Sequence, residues 1–509
     1  MEIVLATVVI YLLSMLVIGF VYSKKNEDIC DFYLGGRKLG PFVSAMSAEA
    51  SDMSSWLLMG LPGVAYLTGC SEAGWTAVGL VVGSYLNWLI IAKRLRIYSQ
   101  KIGAITIPDF FSIRYKDEKH ILMCTTAVIT LIFFVPYTAS GFSACGKLFS
   151  FLFGWDYHIS MIISAIIIIA YTYSGGFLAA SITDLVQSII MTTALICIIL
   201  FGVSSAGGIN HVINNAKNIP GYLELMYIHN VNNGEKDPLS VLSIISLLAW
   251  GIGYFGIPHI HLRFMAINDN KKIKFSRRVA SLWVIISMIA AIFIGIVGNA
   301  LTRNGILKQL NGSDSETIII LIANYMASKG IFFAIFAGLV YSGILACTMS
   351  TADSQLLAAS SAISENILKS TFGIKMDKKK SMMIARGTLL IIAVISIVLA
   401  WDSSNSIFRI VSFAWAGFGA TFGPVMLAAL FWKRATWQGA TASIIFGGIM
   451  IFVWKFIITK FGGIFAIYEL LPAFLFATAA LVIVSIITYK PNEEINKIFD
   501  YVNQSIHKN

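Results

Sequence analysis

Long apolar segments alternate with short polar ones along almost the whole chain of 509 residues. Thirteen of these segments approach the ~20 consecutive apolar residues that an α-helix needs to cross a bilayer. They are 3–22, 41–66, 74–92, 121–146, 159–177, 184–203, 239–265, 279–301, 331–349, 382–401, 407–432, 440–458 and 465–489. The pattern predicts an all-α membrane protein with about 13 transmembrane helices.

Composition supports a multi-pass membrane protein. Hydrophobic residues make up 57% of the chain and charged residues only 12%, against about 25% charged residues in a soluble domain. The first apolar segment has no basic leader and no small-residue cleavage site, which indicates an uncleaved span. The polar stretch 207–238 and the tail after Tyr489 are too short for an attached kinase or nuclease domain.

The net charge of +11 is explained by membrane topology rather than by nucleic-acid binding. If the N-terminus is outside, the inside-facing segments 24–38, 93–119, 263–278, 369–386, 433–434 and 490–508 carry 28 of the 37 basic residues. Basic residues concentrate in cytoplasmic loops of membrane proteins. We therefore expect the N-terminus outside, the C-terminus inside, and no nucleic-acid partner.

The second and seventh apolar segments are interrupted. The second contains Gly60, Pro62 and Gly63, and the seventh contains four helix-breaking residues between positions 251 and 258. They lie five spans apart, and because this offset is odd they cross in opposite directions, as in transporters with inverted repeats. We expect a five-plus-five inverted-repeat core of the amino-acid/sodium symporter type, formed by 41–206 and 239–432. Residues 1–40 and 433–509 would be peripheral.

A carboxylate lies inside the second segment. Asp52 is flanked by Ser51, Ser54 and Ser55. An aspartate at the centre of a spanning helix costs roughly 2.5–3.5 kcal/mol, so it normally has a cation or a donor as partner. The serines supply oxygens and weaken regular helical hydrogen bonding. The segment therefore predicts a broken helix with an ion site.

The seventh segment carries Gly251-x-Gly253-x-x-Gly256, formally a dinucleotide fingerprint. No strand precedes it, so that interpretation fails. Two alternatives remain open: the glycines loosen the helix so that Trp250 and Tyr254 line a cavity, or they allow close helix packing.

The end of the ninth segment gathers Ser350, Thr351, Asp353 and Ser354. Ser350, Asp353 and Ser354 share one helix face, and their oxygens suit a hard cation. The alternative is that the hydroxyls bond back to their own helix backbone.

Three further residues allow a structural or a functional role. Asp184 could complement a helix N-terminus or relay ions. Arg37 could be an inside-facing anchor, and Tyr137 could be an aromatic packing residue or a substrate contact. The six cysteines are scattered singly, which favours neither disulfides nor a metal site.

Four stretches of the chain resemble the sodium:solute symporter family, and in particular its bacterial sodium/proline symporters. They are 34–42, 50–54 with 56–63, 250–259 and 412–419. The second and third stretches together are specific to the proline branch. The resemblance covers nearly the whole chain and implies coupled entry of sodium and proline.

Roles for individual residues follow from this resemblance. Sodium would be bound by carbonyls of Ala50, Met53 and Cys347 and by hydroxyls of Ser350 and Thr351. Asp52 would support that site, and Arg37 and Asp184 would influence sodium-linked transport. The substrate would contact Ser54, Trp56, Tyr137, Trp250, Tyr254 and Pro258.

Two positions depart from the family pattern. Ser55 stands where the related proline transporter has glycine, beside the expected pocket, which bears on substrate size. Asp353 stands where that transporter has serine. With Asp184, Ser350 and Ser354 it resembles the second sodium site of sialic-acid members, so a two-ion cycle is an alternative.

The sequence thus predicts a secondary active transporter in a bacterial plasma membrane that couples inward sodium flow to L-proline uptake by alternating access. The expected partners are this small molecule, sodium as the co-transported ion, and membrane lipid, with no obligatory protein partner. A sodium-coupled symporter of another amino acid, a carboxylate, a sugar or sialic acid is the nearest alternative. A transporter-like membrane sensor is a second one, and an enzyme has no supporting motif.

Overall fold

The computed structural model describes residues 2–24, 26–375, 377–402 and 407–507, and these residues are almost entirely helical. Lys25 and Lys508, two of the basic residues expected inside, lie outside the described residues. The helices are α1 (Glu2–Ser23), α2 (Ile29–Leu34), α3 (Pro41–Asp52), α4 (Leu61–Thr68), α5 (Cys70–Leu86), α6 (Ala92–Ile102), α7 (Ile107–Tyr115), α8 (Ile121–Phe153), α9 (Tyr157–Ser205), α10 (Ile209–Lys217), α11 (Val241–Leu248), α12 (Pro258–Ala266), α13 (Ile273–Arg303), α14 (Ile318–Ala327), α15 (Ile331–Ser361), α16 (Lys378–Leu399), α17 (Ile407–Phe431), α18 (Trp437–Phe456), α19 (Leu470–Thr488) and α20 (Glu493–His507).

One two-stranded sheet lies among the described residues. Its strands, β1 (Tyr227–His229) and β2 (Lys236–Pro238), pair antiparallel, with Tyr227 opposite Pro238. The sheet belongs to the polar stretch 207–238, which forms no larger domain.

Ten described helices are long and apolar enough to cross a membrane, and the bent pair Val241–Gly256 and Pro258–Ala266 makes an eleventh. Large apolar side chains such as Ile10, Phe20 and Ile487 are exposed on the helices, with 68%, 66% and 76% of their surfaces accessible. Contiguous exposed apolar surface of this kind is typical of a lipid-facing protein.

Helix α9 contains two of the predicted apolar segments, 159–177 and 184–203. A straight helix of its 49 residues would be about 74 Å long, more than twice the hydrocarbon thickness of a bilayer. The helical geometry is interrupted at Gly176, with φ +59° and ψ −157°. A Cβ there would lie 2.7 Å from Cδ2 of Phe32, so glycine is required both by conformation and by space.

The two predicted interruptions are confirmed. In the second apolar segment α3 ends at Asp52, and the chain resumes with the π-helical turn Trp56–Gly60, which leads into α4. In the seventh, α11 passes into the 3₁₀ segment Ala249–Gly256 and then bends by 48° into α12.

The glycines of the seventh segment allow close backbone packing against α5. A Cβ on Gly251 would lie 2.1 Å from the carbonyl oxygen of Gly79, and a Cβ on Gly83 would lie 2.2 Å from that of Gly251. The close-packing alternative therefore holds for these glycines, while Trp250 also lines a cavity described below.

Helix α15 lies at the centre of the bundle. Every residue of its C-terminal part, Tyr341–Ser361, is buried, and it packs against α9, α8, α1 and α3. At the chain's end, α20 docks through an ion pair between Lys433 and Asp500 (2.8 Å) and a hydrogen bond from Arg94 to Asn503 (2.7 Å).

Candidate functional site

The candidate site begins where α3 ends. The N–H of Met53, the C-terminal cap residue, donates to the carbonyl of Glu49 (3.0 Å), and the N–H of Ser54 donates to that of Asp52 (2.9 Å). The last carbonyls of a helix have no partner in the next turn and are free to accept from other groups. The carbonyl of Ala50 is one of these, and it accepts from a different helix.

Helix α15 supplies that donor. The hydroxyl of Ser350 lies 2.7 Å from the carbonyl oxygen of Ala50, and also 2.9 Å from that of Ala346 and 3.3 Å from that of Cys347. The hydroxyl of Thr351 donates to the same Cys347 carbonyl (3.1 Å). The hydroxyls of Ser350 and Thr351 therefore do bond to the backbone of their own helix, which was one of the two alternatives for this segment. Ser350 additionally connects α15 to the end of α3.

These contacts bring together four of the five residues expected to bind sodium: Ala50, Cys347, Ser350 and Thr351. The fifth, Met53, follows Ala50 within one turn and is 2% exposed. Carbonyl and hydroxyl oxygens are the ligand types that hard cations prefer.

Asp52 connects the two broken segments. The hydroxyl of Tyr254, in the 3₁₀ segment Ala249–Gly256, donates to Oδ2 of Asp52 at 2.5 Å. Asp52 is 8% exposed, and its Oδ1 has no hydrogen-bond partner among the described residues. This buried hydrogen bond fixes one broken segment to the other.

An aromatic cavity lies next to this contact. Its volume is about 20 Å³, which holds about one water molecule. The lining residues are Asp52, Met53, Ser54, Trp56, Leu80, Tyr137, Trp250, Val411 and Trp415. The hydroxyl of Tyr137 lies 3.5 Å from that of Ser54.

Two tryptophans separate this cavity from a second, larger one of about 160 Å³. Trp56 and Trp250 line both cavities and stack with their ring centroids 5.7 Å apart, and Tyr468 stacks on the other face of Trp250 at 5.0 Å. The indole of Trp415 donates to the carbonyl of Trp250 (2.9 Å). The aromatic stack closes the smaller cavity toward the larger.

Three of the expected substrate contacts, Ser55, Tyr254 and Pro258, do not line the smaller cavity, and Tyr254 instead contacts Asp52 beside it. Ser55 is 2% exposed and begins the turn that continues from the break, and Pro258 is the first residue of α12. Tyr468, Leu80 and Val411 were not predicted from the sequence, where nothing distinguishes them from packing residues of other spans. Trp415 lies in the family-like stretch 412–419, but no contact with substrate was assigned to it.

Asp184 and Asp353 belong to one buried network whose cation is Arg263. Nη2 of Arg263 lies 3.0 Å from Oδ2 of Asp184 and 2.5 Å from the hydroxyl of Ser354. The hydroxyl of Ser354 in turn donates to Oδ1 of Asp353 (2.9 Å). Asp184 lies two turns beyond Gly176 inside α9, so the helix-capping alternative for it is wrong.

Arg263 was expected to be one of the basic residues of an inside loop. It lies instead in α12 and is 1% exposed. The sequence offered no signal for this, because the residue stands at the edge of an apolar segment followed by several lysines and arginines.

A buried acid, Glu49, was missed as well. Glu49, in α3, is 2% exposed and accepts from the indole of Trp88 (2.9 Å) and the hydroxyl of Ser84 (3.3 Å).

Arg37 donates hydrogen bonds to backbone carbonyls at the C-terminal ends of α6 and α12. It has φ +57° and follows two glycines with the same left-handed conformation. Its guanidinium donates to the carbonyls of Met265 (2.8 Å), Ser99 (3.1 Å) and Ala104 (2.5 Å), where α12 and α6 end. Burial lowers the pKa of Arg37 to about 10, which leaves it charged at neutral pH. None of its hydrogen bonds reaches the sodium or cavity residues.

Residues 32–447 match the sequence profile of the sodium:solute symporter family. The chain belongs to this family. It is therefore a membrane transporter and not an enzyme, and the family couples solute transport to sodium.

Relatives match over nearly their whole length. The chain is 40% identical over 501 residues to the osmoregulated proline transporter OpuE of Bacillus subtilis, with 98% of each chain covered. It is 41% identical to the high-affinity proline transporter PutP of the same organism, with 96% of this chain and 98% of the relative covered. It is 37% identical to a sodium/proline symporter of Staphylococcus aureus, with 98% and 96% covered.

Solved structures share the fold at low identity. A sodium-coupled sialic acid symporter in a substrate-bound, outward-open state superposes with a TM-score of 0.79 at 17% identity, covering 96% of this chain and 98% of that one. A nucleobase-cation-symport-1 family transporter in a closed conformation gives 0.55 at 14% identity, covering 92% and 98%.

Proposed function

We propose that this chain imports L-proline together with sodium by alternating access. The observation that carries the proposal is that the oxygen cluster around Ser350 and the aromatic cavity meet at the same break in α3. Ala50 lies on one side of that break, and Ser54 and Trp56 lie on the other. Relatives named proline transporters, 37–41% identical over nearly the full length, support proline as the solute.

Sodium would be bound by the carbonyls of Ala50, Met53 and Cys347 and the hydroxyls of Ser350 and Thr351. The hydrogen bonds among Ala50, Cys347, Ser350 and Thr351 support this set, since they gather its oxygens at one point between α3 and α15. The nearby acids Asp52, Asp184 and Asp353, with Ser354, would act on the ion through the buried networks in which they lie.

Proline would occupy the aromatic cavity. Backbone N–H groups at the break in α3 would bind its carboxylate, as helix N-termini bind anions, once the turn at 53–57, whose N–H groups at Met53, Ser54, Trp56 and Leu57 are hydrogen-bonded here, rearranges on loading. Trp56, Tyr137, Trp250 and Tyr254 would enclose its apolar ring. The cavity volume of about 20 Å³ corresponds to a closed conformation, so loading requires the Trp56–Trp250 stack to part toward the cavity of about 160 Å³ beyond it.

Transport of zwitterionic proline with one sodium carries one net positive charge inward. Each charge gains about 2.3 kcal/mol per 100 mV of membrane potential, in addition to the sodium gradient. Sodium would favour the conformation in which both sites are formed, because a ligand shifts a conformational equilibrium by its differential affinity for the two states.

The same proposal includes the thirteen-span topology with the N-terminus outside and inverted repeats at 41–206 and 239–432. The turn at Gly176 supports counting α9 as two spans. The segment formed by α3, the π-helical turn and α4 supports one further interrupted span, which corresponds to the break between α11 and α12 in the second half.

The test is uptake of labelled proline into proteoliposomes with and without an inward sodium gradient. We expect sodium-dependent accumulation that is lost in Asp52→Ala and retained in Asp156→Ala, an exposed aspartate that caps α9. Competition by unlabelled amino acids, carboxylates and sugars measures selectivity. Accumulation of another solute, with none of proline, would refute the substrate assignment. Sodium-dependent binding without uptake would indicate a sensor.

A further inference from the structure

One cluster of buried polar groups surrounds the guanidinium of Arg263. We call it the Arg263 cluster, and it consists of Ser47, Tyr171, Asp184, Arg263, Asp353 and Ser354. Each member is at most 1% exposed. Its residues come from α3, α9, α12 and α15, so the cluster joins both proposed repeats in the interior of the bundle.

The guanidinium uses all three of its nitrogens. Nε donates to the hydroxyl of Ser47 (3.1 Å), and Nη1 donates to the carbonyl of His259 in its own helix (3.0 Å). Nη2 lies between Oδ2 of Asp184 (3.0 Å) and the hydroxyl of Ser354 (2.5 Å). The positive charge is therefore held among oxygens on three sides.

Without this guanidinium the cluster would contain acceptors and hydroxyls only. Oδ2 of Asp184 also accepts from Ser47 (2.6 Å), and its Oδ1 has no partner among the described residues. Asp353 accepts from the hydroxyls of Ser354 (2.9 Å) and Tyr171 (2.9 Å). Two carboxylates with surrounding hydroxyls form the kind of all-oxygen site that binds a hard cation.

We propose that Arg263 is a tethered cation that fills a second cation site and excludes sodium from it. Nη2 takes the position between Asp184 and Ser354 that a free ion would otherwise occupy. The inference deepens the proposed function, because it assigns to the protein itself the charge that a second transported sodium would supply.

The position of the cluster gives this cation influence over the sodium site. Ser354 follows Ser350 by one turn of α15, a rise of about 6 Å along the helix axis. Arg263 lies on α12, which directly continues the segment that carries Trp250 and Tyr254. Its hydrogen bond to Ser354 therefore attaches the substrate segment to α15, the helix that would supply sodium ligands.

The test replaces the charge and counts sodium ions. In Arg263→Gln the acceptors lose their cation, and a buried carboxylate without a partner is strongly unfavourable. We expect sodium to enter, so that the Hill coefficient for sodium in proline uptake rises from about 1 toward about 2, the number of sites setting its upper limit. Arg263→Lys keeps the charge and is expected to retain a coefficient of about 1.

Two measurements keep the test decisive. Sodium-dependent thermal stabilisation of the purified protein without proline should show one saturable phase in the wild type and two in Arg263→Gln, even if proline is not the solute. If Arg263→Gln does not fold, the double variant Asp184→Asn with Arg263→Gln removes both charges of the ion pair, keeps Asp353 as the one remaining carboxyl group, and should fold with a single phase. Two phases in the wild type, or one in a folded Arg263→Gln, would overturn the proposal.

Discussion

The sharpest prediction concerns Ser350, whose hydroxyl connects α15 to the end of α3. We expect Ser350→Ala to weaken sodium binding while leaving the fold intact. The substitution removes one of the five proposed sodium ligands and also the hydrogen bond of 2.7 Å to the carbonyl of Ala50. It leaves a small space in a part of α15 where every side chain is buried.

The magnitude follows from the loss of one neutral ligand in a buried site. Leaving a buried polar group without its partner costs about 1–3 kcal/mol. Because the cost applies to the ion-bound state, it corresponds to a rise of about 5- to 150-fold in the sodium concentration for half-maximal uptake. The maximal rate at saturating sodium should change much less, since the aromatic cavity is unaltered.

The assay is proline uptake into proteoliposomes as a function of sodium concentration, with sodium-dependent thermal stabilisation as a second readout. Ser342→Ala is the matched control. Ser342 lies on the same helix and is equally buried, but its hydroxyl donates only to the carbonyl of Gly338 in its own helix (2.8 Å). Equal sodium dependence in the two variants would show that the contact with Ala50 has no part in sodium binding.

Two further predictions concern the seventh segment, the first at its contact with Asp52 and the second at its packing against α5. Tyr254→Phe removes the buried hydrogen bond to Asp52, and leaving a buried polar group without its partner costs about 1–3 kcal/mol, so we expect proline uptake efficiency to fall about 5- to 150-fold. Tyr115→Phe, which removes a buried hydrogen bond to a backbone carbonyl elsewhere, should change uptake little. Gly251→Ala places a Cβ against the backbone of α5 and should cost about 1–3 kcal/mol of stability, measured by thermal unfolding. Gly387→Ala, with nothing within 4 Å of the added Cβ, is its control.

Each of these has a result that would contradict it. Uptake by Tyr254→Phe that equals that of Tyr115→Phe would remove the Asp52 contact from the transport mechanism. Equal melting temperatures for Gly251→Ala and Gly387→Ala would mean that the 3₁₀ segment can move away from α5 at no cost.

The broken spans could be predicted because their cause is local. A buried aspartate among serines, or several glycines before a proline, disfavours a regular helix at that point in any surroundings. The geometry inside α9 was harder, because the residues between the two predicted spans are mostly small or apolar and continue both helices. The turn is evident from the non-helical conformation of Gly176. The sequence Gly175-Gly176 does not by itself indicate which residue adopts that conformation.

In the candidate site, too, the residues marked by a local sequence pattern could be predicted, and those defined by distant contacts could not. Ser350 and Thr351 were found because four polar residues within the five positions 350–354 are unusual in a membrane helix. Arg263 was not found, because its partners, Asp184 and Ser354, lie 79 and 91 residues away along the chain. Charge counting assigns such an arginine to the nearest basic loop, and only tertiary packing shows that it enters the bundle.

The geometry at the end of α3 explains how two ligands could be coupled. Ala50 faces Ser350 of α15, while Asp52, two residues on, faces Tyr254 of the other broken segment. Ala50 makes its contact through the backbone carbonyl and Asp52 through its side chain, so one end of α3 contacts both neighbours at once. A displacement of this end that opens the sodium site must also change the distance between Asp52 and Tyr254. Sodium binding, by holding the end of α3 against α15, would therefore favour the arrangement in which Tyr254 and the aromatic cavity are formed.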